Sequence, residues 1–223
     1  MKPTQNKQLV VEGIDDLRSV IGLMRHHVDW SPDKFKAPVW IILGGGAGPI
    51  LQPDYIPTLI KDPTIKTLGI MLDADDDANS RYLSFKKLCA EFFPKMPDKL
   101  PVNGLVVENH EGKRIGLWIM PDNSSPGAIE TFLKFLVPEK TIPLWKHAMK
   151  SVADAKGVGA NYKECHAEKS NLYTWLAWQD EPGQSAGTAL TRKILDPRAE
   201  SAIPFVKWIM ELYQLEHSIN LQT

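Results

Sequence analysis

The residues best suited to chemistry are carboxylates that follow apolar runs. The run QLVVE ends at Glu12, with Asp15 and Asp16 close behind. KTLGIMLDAD ends with Asp73 and Asp75, followed by Asp76 and Asp77, and GLWIMPDN carries Asp122. Carboxylates crowded together repel one another unless a cation neutralises them or some take up protons. A ligand set made only of oxygen, with no cysteine or histidine cluster, favours Mg²⁺ or Mn²⁺ over zinc. Glu12 and Asp16 sit four apart across a strand-to-helix turn, which lets the two converge while Asp15 points to one side. Asp73 and Asp75 flank Ala74 and so share one side of an extended segment. Each acid also has a purely structural use. Asp15 and Asp16 suit the first turn of a helix, Asp76 and Asp77 suit caps or a solvated surface, and Asp122 with Asn123 suits a turn.

The elements that must position these acids follow from apolar spacing. Residues 8–12 read as a buried strand, and Ile14, Leu17, Ile21, Met24 and Val28 recur at helical intervals after Gly13. Val39 to Leu43 is an unbroken apolar run ending in glycines, as in a strand buried on both faces. A short helix over 54–61, a third strand in KTLGIMLDAD and a helix over 77–94 complete a β-α-β-α-β-α order, which predicts a parallel sheet with right-handed crossovers. Ligands in such sheets bind beyond the carboxyl ends of the strands, where these acids stand.

Two apolar arms around Asn109 to Gly112 read as a β-hairpin whose second arm, Ile115 to Met120, is the last strand. Ser125 and Pro126 supply an N-cap and first-turn proline for a helix bearing Ile129, Phe132, Leu133 and Leu136. Helical segments near 143–156, 165–178 and 200–214, separated by loops such as DEPGQSAG, read as a cap. The expected organisation is an α/β domain over residues 1–140 and a helical extension over 141–223 packed on it.

Composition narrows the function classes. The net charge of −1 gives no global attraction to a phosphate polymer, so contact with nucleic acid needs a local basic patch or metal ions. Two cysteines, Cys89 and Cys165, specify no disulfide framework and fit a reducing cytoplasm. No stretch reaches the roughly 18 apolar residues of a membrane span. GGGAGPIL lacks the lysine of a phosphate-binding loop, and Pro49 stands where a dinucleotide motif needs its third glycine, so Gly44, Gly45, Gly46 and Gly48 are expected to make a tight turn open to substrate.

Together VVEGIDD, GIMLDADDD and GLWIMPDN…GAIE resemble the TOPRIM domain shared by topoisomerases, bacterial primases and OLD-type nucleases. More closely, they resemble a family of small bacterial TOPRIM-like proteins without assigned function. The resemblance covers residues 8–137. It implies a TOPRIM-like, Rossmann-like mostly parallel sheet. It also implies a catalytic or ligand role for Glu12, metal ligation by Asp73 and Asp75, and further ligands at Asp16, Asp122 and Glu130. Glu130, eight residues beyond Asp122, also reads as an ordinary first-turn glutamate.

A late segment, AEKSNLYTWLAWQDEPGQSAG, resembles the same small family, and its Lys169 could stabilise the charge of a phosphoryl transition state. Trp175 and Trp178 suit packing more than base stacking, and His26 and His27 are expected to decorate a helix. The chain has no room for topoisomerase gates or primase accessory parts.

The expectation is a cytoplasmic Mg²⁺- or Mn²⁺-dependent nuclease acting on DNA or RNA, in defence or repair. Glu12 and Lys169 would serve catalysis, and Glu12, Asp16, Asp73, Asp75, Asp122 and Glu130 would hold metal. Its partners would be nucleic acid, an ATPase encoded separately and a second copy of the chain. Two rivals stand beside it: a catalytically weak metal- or nucleotide-binding module that works with a partner protein, and a phosphatase or phosphotransferase whose nucleophile is Asp73.

Overall fold

The structure, a computed structural model, describes residues 6–217. It is an α/β fold around a five-stranded sheet. The strands are β1 (Lys7–Val11), β2 (Trp40–Leu43), β3 (Thr67–Asp73), β4 (Leu105–Glu108) and β5 (Arg114–Met120), in the order β2-β1-β3-β5-β4. All neighbours are parallel except β4 and β5, which form the expected hairpin. The architecture is Rossmann-like, with helices on both faces.

Sheet alternation divides the core in two. Val10, Leu68, Ile70, Leu72, Ile115, Leu117 and Ile119 face helices α2 (Ala47–Ile50), α3 (Tyr55–Lys61) and α4 (Ala78–Cys89). Leu9, Val11, Met71, Trp118 and Met120 face the other layer. That layer holds α1 (Ile14–Met24), α5 (Ile129–Lys134), α6 (Ile142–Gly157), α7 (Ala167–Ala177), α8 (Ala186–Thr191) and α9 (Ile203–Tyr213). The helices after residue 141 therefore share a continuous core with the sheet. This is the period-2 division that a sheet covered on both sides requires.

Helix α9 fits because the sheet beneath it is nearly bare. Gly69 and Gly116 are register partners on β3 and β5. A β-carbon at Gly69 would lie 2.2 Å from the Tyr213 hydroxyl, and one at Gly116 would lie 2.6 Å from Leu212. Beside them Trp118 stacks edge-on to Phe205 at 5.2 Å, and the Trp208 indole donates to the Leu105 carbonyl at 2.9 Å, so its one polar atom is satisfied.

Several local expectations change. Helix α1 ends at Met24, and His26 and His27 lie past it, with Nε2 atoms 3.0 and 2.8 Å from the carbonyls of Leu190 and Pro197. They tie down the end of α8 and the loop after it and do not decorate α1. Helix α5 starts at Ile129, capped at Ala128, so Ser125 is not its N-cap and Pro126 is not in its first turn. The reason is that Ser125 is engaged with Asp122, as described below. Short helices α2 and α8 stand where glycine-rich loops were expected. Trp175 is fully buried, edge-on to Trp145 at 6.0 Å, as the packing reading requires, whereas Trp178 is 41% exposed with its ring 5.4 Å from that of His147, so the reading holds for Trp175 alone. Among the described residues no helix is long and apolar enough to cross a membrane.

Candidate functional site: an acidic rim at the switch between two strands

From β1 the chain crosses to β2 on one side and later to β3 on the other. The carboxyl ends of β1 and β3 therefore flank the point where strand order reverses, which is the crevice that open α/β sheets use for ligands. Glu12 follows β1 and Asp73 ends β3.

Glu12 is woven into this crevice. Its Oε1 accepts from the Asp73 amide at 2.7 Å, and its Oε2 accepts from the Ala47 amide at 2.9 Å. The amides of Gly45 and Gly46 both donate to its main-chain carbonyl at 3.1 Å. Gly45 and Gly46 have φ of 80° and 108°, a region glycine enters without penalty, so the turn can curl its donors onto one residue. The glycine turn expected to admit substrate thus spends these donors on Glu12. Burial raises the pKa of Glu12 against the lowering effect of the Asp73 and Ala47 amides.

Asp16, only 5% exposed, accepts from the Gly13 amide at 2.7 Å in the first turn of α1. Burial, then the charges of Glu12 and Glu130, push it up to about 7 despite that hydrogen bond. Asp73 accepts from the Ile129 amide at 3.0 Å. Burial, followed by the charges of Asp16, Glu12, Glu130 and Asp75, pushes it up to about 9. These five acids therefore feel one another electrostatically at one rim.

Two expected ligands are placed differently. Asp75 does not continue the extended strand alongside Asp73. Its φ is 51°, and its backbone exchanges hydrogen bonds of 3.0 and 2.7 Å with Gly127. That pairing bends the chain, and a short acidic side chain tolerates the left-handed backbone. The Asp75 carboxylate, 61% exposed, pairs with Arg81, whose Nε also donates to the Asp73 carbonyl at 3.3 Å. Asp122 is engaged in its own turn. Both its oxygens accept from the amides and hydroxyls of Ser124 and Ser125, at 2.7 to 3.0 Å. Burial works to raise its pKa, but the hydrogen bonds from Ser125 and Ser124 outweigh it and hold the group below its usual value. Its turn reading is the one the geometry displays.

Lys169, on α7, reaches the rim from the same helical layer as α1 and α5. Its ammonium lies 2.8 Å from Asp15 and 3.5 Å from Glu130, and the Asp15 hydrogen bond leads the causes that raise its pKa. Sequence reasoning missed Arg81 and Tyr173. Tyr173 lies one turn beyond Lys169, with a pKa raised by burial and then by Asp15. The signal for Tyr173 was available in its spacing from Lys169. Arg81 would have been visible as a cation in the first turn after the acidic run.

Among the described residues, no three histidine, cysteine, aspartate or glutamate side chains stand as a ready coordination shell. The donor chemistry nonetheless suits a hard divalent cation. All candidates are carboxylates, and two of them are held toward the neutral form by burial and like charge, which an arriving cation would reverse.

No curated protein and no solved structure matches the chain. A family model described as "Protein of unknown function (DUF3226)" matches residues 6–214, nearly all of the sequence, and the chain belongs to that family.

Proposed function

We propose that the chain is a divalent-metal-dependent phosphodiester hydrolase of TOPRIM type, acting on nucleic acid at the rim between β1 and β3. The observation that carries this reading is the gathering of Glu12, Asp16, Asp75 and Glu130 around Asp73, whose own charge is suppressed first by burial and then by theirs. Like charges accumulate at a buried rim at a cost to folding, which supports a functional use for the place. The motif resemblance to TOPRIM supports the same reading.

Asp73 and Asp16 would hold Mg²⁺ or Mn²⁺, with Glu130 and, on leaving Arg81, Asp75 completing the oxygen set. The ion would supply Lewis-acid activation of water and neutralisation of the leaving oxygen. Glu12 keeps the geometry of the crevice through its two amide partners and retains a lone pair on each oxygen to orient or deprotonate water. Lys169 holds Asp15 and Glu130 in place and brings a positive charge to where phosphate charge would develop. Asp122 serves as the anchor of its turn.

The test is cleavage of labelled DNA and RNA in Mg²⁺ or Mn²⁺ by the wild type and by Asp73→Asn. The substitution is expected to lower the rate by about a hundredfold or more. Cleavage that survives it unchanged removes the proposal.

The module reading, in which the chain binds metal or nucleotide and needs a partner, draws on the unassembled coordination shell and on the partial neutralisation of Asp15 and Glu130 by Lys169. Cation binding without cleavage by the chain alone selects it. A phosphatase with Asp73 as nucleophile is separated by its covalent intermediate: a phospho-aspartate trapped at Asp73 selects it.

A further inference from the structure

We infer that the cleft between α1 and α8 binds the sugar-phosphate backbone of a nucleic-acid strand and leads it to the acidic rim. This deepens the hydrolase reading and rests on it for the identity of the polymer.

The cleft has a volume of about 300 Å³ and is lined by Arg18, Arg25, Arg192, Ser185, Thr188 and Thr191, among others. Its floor exists because two helices touch through glycine. A β-carbon at Gly22 would lie 2.4 Å from the Gly187 carbonyl oxygen, and one at Gly187 would lie 2.4 Å from that of Arg18. Such close approach leaves the longer side chains of both helices standing as walls.

The charge of those walls is only partly spent. Arg192 pairs with Glu181. Arg18 and Arg25 make no ion pair or side-chain hydrogen bond with any described residue, although the chain holds as many acids as bases to within one. They stand seven residues apart on α1 and its C-cap, so they share a face and are separated by about 10 Å along the axis. A guanidinium has five donors and a fork matched to phosphate oxygens. Ser185 and Thr188 share one hydroxyl hydrogen bond of 3.0 Å, which leaves one hydroxyl proton of the pair to donate.

The position ties the cleft to the rim. Arg18 lies one turn beyond Asp15, whose carboxylate meets Lys169. Cationic groups thus run from Lys169 past Arg18 to Arg25, beside acids that would otherwise repel a phosphate. A net charge of −1 gives no general attraction, so a local cationic track is what a polyanion would need to find this edge.

The experiment measures binding apart from cleavage. Anisotropy of a fluorescein-labelled single-stranded oligonucleotide is followed in EDTA over a range of KCl concentrations. The proteins are the wild type, Arg18→Gln/Arg25→Gln, Arg18→Lys/Arg25→Lys and Asp73→Asn, each checked for a cooperative melt. The glutamine pair is expected to lose about tenfold or more in affinity. Its slope of log affinity against log salt should flatten by about 1.4, at about 0.7 per lost contact. The lysine pair should keep the slope, and Asp73→Asn should bind at least as well as the wild type. A folded glutamine pair with unchanged affinity and slope overturns the inference even if the wild type cleaves. Displacement of the strand by AMP at equal nucleotide concentration also overturns it, in favour of a mononucleotide pocket. Binding lost as expected in a protein that never cleaves leaves the cleft standing and removes the hydrolase reading alone.

Discussion

At the amino-terminal end of the parallel strands, Lys113 is 8% exposed, and its ammonium donates to the carbonyls of Ile60 and, at 2.8 Å, Asp62. Beside it Arg114 donates to Glu108 at 3.0 Å and to the Glu211 carbonyl at 3.2 Å, and Lys7 reaches the Tyr213 carbonyl at 2.6 Å. At the carboxyl end the charges of Glu12, Asp16 and Glu130 bear on Asp73, and Lys169 answers only the outer part of that charge. Buried charge at the first end is supplied with acceptors, so its burial serves the fold. At the second it is left in conflict, and the conflict is what an incoming cation would relieve.

The largest effect that would separate the two ends is on stability. Lys113→Met leaves the Ile60 and Asp62 carbonyls without their donor and is expected to cost about 2 kcal/mol, equally with and without Mg²⁺. Denaturant titration checks it. A loss that Mg²⁺ cancels would break the distinction between the ends.

The next is a pH slope confined to the acidic rim. Asp73 at about 9 and Asp16 at about 7 both exceed the ordinary aspartate value of 3.8, so the folded chain binds more protons than the unfolded one between those limits. Their stabilising contribution is complete below about pH 4 and is lost as pH rises, through about 7 for Asp16 and about 9 for Asp73. Melting temperature in EDTA should therefore decline across this window. Asp73→Asn should remove the upper part of the decline, and Mg²⁺ should flatten it. A metal-free melt that rises from pH 5 to pH 8 contradicts the assigned conflict.

The smallest effect belongs to Lys169→Met. Its ion pairs are partly exposed, so the expected loss of stability is below about 1 kcal/mol. Mg²⁺ affinity should nonetheless change, because Asp15 and Glu130 are released. Equal Mg²⁺ affinity in calorimetry would detach Lys169 from the site.

Much of this frame is legible in the residues. Unbroken apolar runs mark strands, and the acids after β1 and β3 mark the rim, because periodicity and strand-end position are local properties. The run at Val39 to Leu43 reads as buried on both faces but forms the edge strand β2, with Leu43 48% exposed, because which strand lies at the edge is set by the sheet order. Asp75 and Asp122 show where local reading stops. The direction of Asp75 depends on hydrogen bonds with Gly127, fifty-two residues away in the chain, and no pattern around Asp75 announces them. Asp122 is drawn into its turn by Ser124 and Ser125, which also suit a helix cap, and the same residue types serve both purposes. Arg18 and Arg25 form a cleft only because α8 returns to α1, a tertiary event with no sequence period.

The glycine pair beneath α9 bears on the order in which the molecule is made. With α9 seated there, the Tyr213 hydroxyl donates to the Gln8 carbonyl at 2.7 Å, joining positions 205 residues apart. Contacts so distant come late, since closing a long loop carries an entropy that nearer pairings avoid. During synthesis the strand that leads to Glu12 therefore waits for a partner 205 residues further along, and β1 is locked into the sheet only when α9 returns to it.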